Sequence, residues 1–215
     1  MCMMGQDMFA AATNATYTTL VWAMAELINH PAEMRKVQDE VRATVVDSGA
    51  GNVNEDHTDK LHYLRAVIKE TFRLHAPLPL LLPRETLEDT ELLGYRVPAG
   101  TRVVINAWAI GRDAETRERA EEFVPGRFVD GPAEQGVRVR HDDFRSVPFG
   151  AGRRGCPGVG FASPSIELAL ASLLYHFDWE LPVEAGASKL DMSEVYGLSV
   201  RLKAPLCLVA KPWSP

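Results

Sequence analysis

Apolar residues recur at helical spacing along much of the chain, and this periodicity restricts the possible folds more than any other feature. Four stripes follow the i, i+3, i+4 pattern of an amphipathic helix. They comprise Leu20, Ala23, Met24, Leu27 and Ile28; Met34, Val37, Val41 and Val45; Leu61, Leu64, Ile68 and Phe72; and Ile166, Ala169, Leu170, Leu173, Leu174 and Phe177. The first stripe stops at His30-Pro31 and the third before Ala76-Pro77, because proline ends a helix. Helices are therefore expected to dominate.

Short strands and turns are predicted between the helices. Residues 90–106 hold two strand-like runs around the Pro/Gly turn Val97–Thr101, which predicts a hairpin. Residues 112–148 show little periodicity, as is typical of functional loops, and short apolar runs such as Ala204–Ala210 follow the last helix. Because Pro164 lies within the fourth stripe, we expect that helix to kink there or to begin late.

Composition excludes several classes of protein. The chain has 215 residues, of which 46% are hydrophobic and 24% charged, which is ordinary for a soluble globular domain. A net charge of -6 gives no indication of a nucleic-acid partner. Cys2, Cys156 and Cys207 are odd in number and widely spaced, so they predict neither a disulfide framework nor a zinc site. The sequence also shows neither a membrane-spanning apolar run nor a signal peptide.

A glycine-rich loop with one cysteine precedes the fourth helix. Residues 148–158 read PFGAGRRGCPG, and the glycines match the dinucleotide pattern G-x-G-x-x-G. That site needs a buried strand directly before the glycines, which Pro148 would interrupt. Arg153, Arg154 and the following helix N-terminus would instead stabilise a thiolate on Cys156. Such a thiolate is a metal ligand or a nucleophile, and the loop supplies no base for a nucleophile.

Five residues of this loop form the pattern F-x-x-G-x-R-x-C-x-G: Phe149, Gly152, Arg154, Cys156 and Gly158. An isolated cysteine is most often simply buried, but this pattern resembles the haem-binding signature of the cytochrome P450 family, the haem-thiolate monooxygenases. The resemblance implies that Cys156 is the axial metal ligand of the haem iron and that the other four residues belong to the cofactor site, with Arg154 facing a haem propionate. It also implies the fold class: mainly α with small β-sheets.

Other motifs resemble the same family. Glu70 and Arg73 have helical i, i+3 spacing, which by itself indicates a solvated surface pair, but the family places a Glu-x-x-Arg pair here and locks it to a later arginine. Arg127, in FVPGRF, is the implied third member, with Gly126 in place of the family's usual glutamate. The resemblance thus assigns these three residues a structural role, and it makes Arg84, in LLLPRET, a second propionate-binding arginine.

The first helix departs from the family pattern. Plant microsomal members of the A type carry A-A-G-T-D-T-T, where an acid and a threonine deliver protons during oxygen activation, whereas residues 10–16 here read AAATNAT. Asn14 cannot supply an acid's proton and Ala15 has no hydroxyl, so Thr13, Thr16 or water would have to replace the relay. We expect Ala11, Ala12, Ala15, a strand at Leu78–Leu82, and Tyr196–Leu198 to line the substrate pocket.

The resemblance implies an incomplete haem-thiolate monooxygenase. Residues 1–215 would be the C-terminal portion of a single cytochrome P450 domain, whose N-terminal part and membrane anchor are absent here. The expected cofactor is haem b, iron protoporphyrin IX, and electrons would come from NADPH through the NADPH-cytochrome P450 reductase. O2 and a small lipophilic compound would be the substrates. A complete member would lie on the cytosolic face of the endoplasmic reticulum membrane.

A cluster of arginines suggests where the reductase docks. The segment from residue 138 to residue 154 contains five arginines and two aspartates, which gives a local net charge of 5 - 2 = +3. The arginines are Arg138, Arg140, Arg145, Arg153 and Arg154, and the aspartates are Asp142 and Asp143. The same arginines could instead serve the haem and the fold.

Three other functions remain open at this stage. The chain could be a non-catalytic remnant without stable haem, since core partners would be missing. It could be a haem-thiolate isomerase or dehydratase, which the altered proton relay permits. A dinucleotide-binding module is the last alternative.

Overall fold

Helices form most of the computed structural model, which describes residues 2–129, 144–182 and 189–214, with side chains from Met8 onward. Four long helices and two short ones occur in the order α1 Cys2–Asn29, α2 Pro31–Asp47, α3 Glu55–Thr58, α4 His62–Leu74, α5 Ala107–Gly111 and α6 Val159–His176. The predicted fold class, mainly α with small sheets, is confirmed. Among the helices of these ranges, none combines the length and hydropathy needed to cross a lipid bilayer.

The core lies where α1, α2, α4 and α6 meet, and the predicted stripes supply it. Fully buried side chains from all four helices share one cluster, among them Leu27, Val37, Val41, Leu64, Ile68, Leu170 and Leu174. Burying each such side chain stabilises the fold by roughly 1.5–3 kcal/mol. The four predicted helices are therefore confirmed by their burial as well as by their backbone.

The ends of the helices follow local chemistry. Pro31 begins α2, where a missing N–H costs nothing. The carboxylate of Glu40 on α2 accepts the backbone N–H groups of Tyr63 and Leu64 at 2.7 and 2.9 Å, which satisfies the first turn of α4. Pro164 lies inside α6, which already begins at Val159, so the expectation of a late start was wrong.

Eight short strands form four two-stranded antiparallel sheets within the described ranges. The pairs are β1 Arg84–Glu85 with β4 Arg102–Val103, β2 Thr90–Leu92 with β3 Tyr95–Val97, β5 Phe177–Glu180 with β8 Val209–Pro212, and β6 Glu194–Val195 with β7 Arg201–Leu202. The β5–β8 pair lies beside α6, and the β6–β7 pair lies beside α1. These two pairs therefore connect the C-terminal residues with the helices.

The hairpin turn differs from the one predicted. β2 and β3 are joined at Leu93-Gly94, with φ of 52° and 83°, rather than at Val97–Thr101. Two consecutive positive φ values are those of a type I′ turn, whose twist suits a two-residue hairpin. The Pro98–Gly100 segment instead leads into β4, and Gly100 N–H donates to Thr86 O at 2.8 Å. Leucine rarely adopts a positive φ, so residue preferences did not predict a turn at this position.

Candidate functional site

The cysteine loop presents its thiol at the surface. Cys156 lies between a 3₁₀ helix, Gly152–Arg154, and α6, and its side chain is exposed. Its backbone N–H donates to Phe149 O at 2.8 Å, which closes the loop on itself. Gly150 and Gly152 have φ of 67° and 69°, a region that favours glycine. The glycines thus allow a tight loop with an accessible thiol at its end.

Two of the glycines also leave room beside neighbouring groups. A Cβ at Gly150 would lie 3.6 Å from Arg84 Nη2 and 3.7 Å from Leu81 Cδ1. A Cβ at Gly158 would lie 3.7 Å from Cys156 Sγ. The structure therefore brings Arg84 of β1 next to the cysteine loop, although 72 positions (156 - 84) separate it from Cys156 in the sequence.

Phe149 connects the loop to the helical core. Its ring packs edge to face on Phe72 of α4, with centroids 5.1 Å apart and planes at 64°. Phe72 is only 3% exposed, so one side of this contact is fixed in the core. Such an aromatic pair contributes about 0.5–1.5 kcal/mol beyond its buried area.

The arginines of the expected docking cluster differ in their surroundings. Arg153 and Arg154 are exposed on the 3₁₀ helix before Cys156, and Arg145 is exposed as well. The Arg145 carbonyl oxygen accepts from Arg117 Nη2 at 3.5 Å. Arg138 and Arg140, with Asp142 and Asp143, lie outside the described residues.

Glu70, Arg73 and Arg127 come together in the interior. Arg73 Nε and Nη2 donate to the two oxygens of Glu70 at 2.7 and 2.8 Å, and both side chains are 0% exposed. Arg127 Nε donates to Glu70 Oε1 at 3.1 Å from the 3₁₀ helix Pro125–Phe128. The helical spacing alone indicated a solvated pair, whereas the structure buries it.

Arg73 also organises the irregular segment after α5. Its Nη1 donates to the carbonyls of Gly111 and Ala120 at 2.8 and 2.5 Å, and its Nη2 donates to the Glu122 carbonyl at 2.9 Å. Since each donor of the guanidinium has an acceptor, the buried charge is compensated. This segment lacks periodicity because a buried cation, rather than a hydrophobic face, fixes its course.

Gly111, whose carbonyl accepts from Arg73, and Gly126, next to Arg127 in the chain, provide a matched pair of substitutions. A Cβ at Gly111 would clash with the Arg73 carbonyl oxygen, so Gly111→Ala should cost about 1–3 kcal/mol of unfolding free energy. A Cβ at Gly126 meets no described atom within 4 Å, so Gly126→Ala should be neutral or stabilise by up to about 1 kcal/mol. Urea unfolding of the two variants checks this, and equal destabilisation would contradict it.

The altered relay positions lie on α1. Thr13 and Asn14 are exposed, and Ala15 and Thr16 are half-buried. Asn14 Nδ2 donates to Ser199 Oγ at 3.1 Å, while the Ala15 carbonyl accepts from Thr19 Oγ1 at 2.9 Å. The amide of Asn14 therefore joins α1 to the C-terminal segment, a contact between residues far apart in sequence that the sequence pattern did not indicate.

The expected pocket residues are largely exposed. Leu80, Leu82, Tyr196 and Leu198 show between 50% and 78% of their surface, and Ala11 and Ala12 are exposed on α1. The strand expected at Leu78–Leu82 was wrong, because Leu81 N–H donates to Leu78 O at 3.1 Å and Leu81 has φ of 51°, which makes a turn.

Comparison with known proteins adds independent information. The family model described as cytochrome P450 matches residues 3–205. Cytochrome P450 71A1 of Persea americana is 53% identical over 95% of this chain and 40% of its own length. Tryptamine 5-hydroxylase of Oryza sativa subsp. japonica is 47% identical over 95% and 39%, and indole-2-monooxygenase of Zea mays is 50% identical over 94% and 38%.

A solved structure agrees with these relatives. The structure of a zebra fish cytochrome P450 with abiraterone superposes with a TM-score of 0.82 at 30% identity, over 97% of this chain and 46% of that one. The chain thus spans about 40% of the length of the curated relatives named above. The family match over nearly the whole chain, the identity to plant members and the shared fold together show that the chain belongs to the cytochrome P450 family.

Proposed function

We propose that the chain carries the haem-thiolate site of a monooxygenase that inserts one oxygen atom from O2 into a small lipophilic substrate, with electrons from NADPH through a reductase. The observation that carries this proposal is the accessible Cys156 thiol at the end of a glycine-rich loop beside Arg84. Plant relatives whose names describe a hydroxylase and a monooxygenase support the reaction class.

The residues around Cys156 fit haem b. Glycine at 150 leaves space next to Arg84 Nη2 that a Cβ would fill, and the thiol is exposed to a ligand. Arg84 and the exposed Arg154 supply cations suited to propionate carboxylates. When bound, the haem would supply the oxygen chemistry, and the Cys156 thiolate would hold its iron. Phe149 would fix the loop to the helical core, and Gly152 would permit its tight turn.

Proton delivery would depend on α1. The Asn14 amide donates to Ser199 Oγ and has no acidic proton to give. Ala15 offers only its backbone, so Thr13 and Thr16 would be the hydroxyl donors at the relay positions. General acid catalysis typically contributes about 10²- to 10⁴-fold, so we expect coupled turnover to be low while haem binding is retained.

The remaining assignments stay predictions. We place residues 1–215 in the C-terminal portion of a single domain, because the motifs from Asn14 to Cys156 follow the order they have in the family. The complete protein would lie on the cytosolic face of the endoplasmic reticulum membrane, as plant microsomal members do.

A carbon monoxide difference spectrum of the reduced 215-residue chain, loaded with haem b, tests the proposal. We expect the thiolate-type Soret band. A chain that folds, as judged by circular dichroism, but gives no such band would support the non-catalytic remnant. Retention of nicotinamide dinucleotide without haem would support the dinucleotide-binding module instead.

Restoring the relay provides a second test. Asn14→Asp with Ala15→Thr should lower the hydrogen peroxide formed per NADPH consumed, because an acid and a hydroxyl then supply the proton that the native helix lacks. The measurement is peroxide against NADPH, with the haem-loaded chain and a reductase. Thr13→Ala and Thr16→Ala, each in the native background, report which of the two hydroxyls carries the residual proton flow. An unchanged ratio in the restored variant would show that these positions do not limit coupling.

The altered relay also favours a second candidate function. A haem-thiolate isomerase or dehydratase needs no proton delivery to oxygen, and Asn14 and Ala15 would not impair it. Conversion of a substrate in the absence of O2 and NADPH would establish this function. Efficient coupling of NADPH to product by the native chain would contradict both the low-coupling prediction and this alternative.

A further inference from the structure

His75, directly after α4, is a buried histidine that the proposed oxygen chemistry does not use. It is 8% exposed and stacks on Trp22 of α1, with ring centroids 3.9 Å apart and planes at 5°. Each ring nitrogen faces a carboxylate: Nε2 lies 2.6 Å from Glu26 Oε1, and Nδ1 lies 3.7 Å from Glu194 Oε1. One imidazole therefore connects the end of α4 with α1 and β6.

The two contacts differ in kind. At 2.6 Å, the contact with Glu26 is a hydrogen bond, whereas 3.7 Å is too long for one, and Nδ1 has no hydrogen-bond partner among the described residues. The contact between Nδ1 and Glu194 is thus a longer-range polar one, which is an ion pair when the imidazole is protonated. Both carboxylates are mostly buried, with side chains 9% and 16% exposed, so solvent screens this attraction weakly.

Other side chains lie near the same carboxylates. His30 Nδ1 lies 3.3 Å from Glu26 Oε2, and the Arg112 guanidinium adds a positive charge near Glu194. The pKa of Glu194 lies below its usual range, chiefly because of its interaction with His75, and Arg112 contributes less. His75 Nδ1, 3.7 Å from the carboxylate, is therefore a partner of Glu194 in addition to Arg112.

Glu194 opens a segment that α1 holds at its other end. Ser199 Oγ accepts from Asn14 Nδ2 at 3.1 Å, and the Val200 carbonyl accepts from Trp22 Nε1 at 3.0 Å. Between these fixed ends, Tyr196 and Leu198 are 78% and 67% exposed. The exposed side chains thus belong to a span, residues 195–198, whose two ends are attached, while within it the Tyr196 side chain interacts with the Glu194 carboxylate.

We propose that His75 is a positioning residue that fixes Glu194, and through it residues 195–198, against α1, and so sets one wall of the substrate pocket. The pocket part of this inference rests on the proposed function. The positioning part concerns the chain itself and holds whether or not haem is bound.

Hydrogen–deuterium exchange of the haem-free 215-residue chain tests the positioning. In Glu194→Gln, backbone amides of residues 194–200 should exchange about tenfold faster or more, as loss of an interaction with a charged group predicts, while β5 and β8 stay protected. His75→Gln should produce the same local increase. The double variant should add little to either change, because both remove one interaction.

His57→Gln is the matched control, since His57 is 3% exposed and bonds Ser48 Oγ at 2.8 Å at a distant point of the fold. It should leave residues 194–200 unchanged. The positioning role would be overturned if the amides of residues 194–200 exchanged in Glu194→Gln at the same rate as in the native chain. It would also be overturned if His57→Gln raised these exchange rates as much as Glu194→Gln does. If His75→Gln does not fold, Glu194→Gln alone still tests the positioning role.

Two azole probes test the pocket wall in the haem-loaded chain. Imidazole and 4-phenylimidazole both offer a ring nitrogen to iron, but the phenyl ring of the larger probe extends further from the iron. Glu194→Gln should change the Kd of 4-phenylimidazole several-fold and leave that of imidazole unaltered. Equal Kd values in native and variant chains would overturn the wall assignment. Absence of a Soret band in the native chain would instead refute the proposed function, which the exchange experiment does not depend on.

Discussion

Arg73→Ala should abolish soluble, folded protein under ordinary expression conditions. The guanidinium bonds both oxygens of Glu70 and three backbone carbonyls in a fully buried setting, and its loss leaves the Glu70 charge with Arg127 alone among the described charged side chains. Removing one partner of a buried pair costs about 3–5 kcal/mol, against a total stability of about 5–15 kcal/mol for a domain. Soluble yield and thermal unfolding measure the effect.

Arg119→Ala is the control for this prediction. Arg119 pairs with Glu122 at 2.5 Å, but both side chains are more than half exposed, so solvent weakens the pair. This variant should express and unfold like the native chain. An Arg73→Ala protein that folds normally, loads haem and merely turns over more slowly would show that the network acts in the chemistry rather than in the fold.

Cys156→Ser should eliminate the thiolate-type Soret band of the haem-loaded chain while leaving the unfolding temperature of the haem-free chain unchanged. The thiol is exposed and contributes no core contact, and the loop closes through the Cys156 backbone N–H, which serine retains. The spectrum and thermal unfolding therefore separate ligation from folding. The expected loss is complete, because serine cannot provide thiolate ligation.

Cys207→Ser provides the matched control, since Cys207 is likewise a free, exposed cysteine. It lacks the glycines and arginines that surround Cys156, and its substitution should leave the band intact. A band that survives Cys156→Ser and disappears in Cys207→Ser would reverse the assignment of the ligand.

The helices could be predicted because their positions depend on apolar spacing. Met34, Val37, Val41 and Val45 are buried along one face of α2, as their spacing indicates. The hairpin turn could not, because it places Leu93 at a φ of 52° that local preference disfavours. Apolar spacing therefore predicted the helices that bury one face, whereas a turn that needs an unusual backbone conformation could not be predicted from residue preferences.

The candidate site was predictable only in part for a related reason. The pattern around Cys156 is continuous in sequence, so the sequence alone identifies its residues. The partners Asn14 and Ser199, and His75 and Glu194, are 185 and 119 (194 - 75) positions apart, and the spacing of neither pair identifies it. Contacts of this kind depend on how helices and C-terminal strands meet, which periodicity does not specify.

The way Arg73 holds the segment after α5 has a consequence for how freely that segment can vary. All three acceptors there are main-chain carbonyls, at Gly111, Ala120 and Glu122, and a carbonyl is present whatever the side chain. Arg127 binds the same stretch through the carbonyls of Glu118 and Arg119 at 2.9 and 3.0 Å. In a saturation library, the exposed side chains of Ala114, Glu115 and Glu118 should thus tolerate wide replacement, whereas Arg73 should accept none. The course of this segment is set largely by two arginines outside it, so its exposed side chains are free to change.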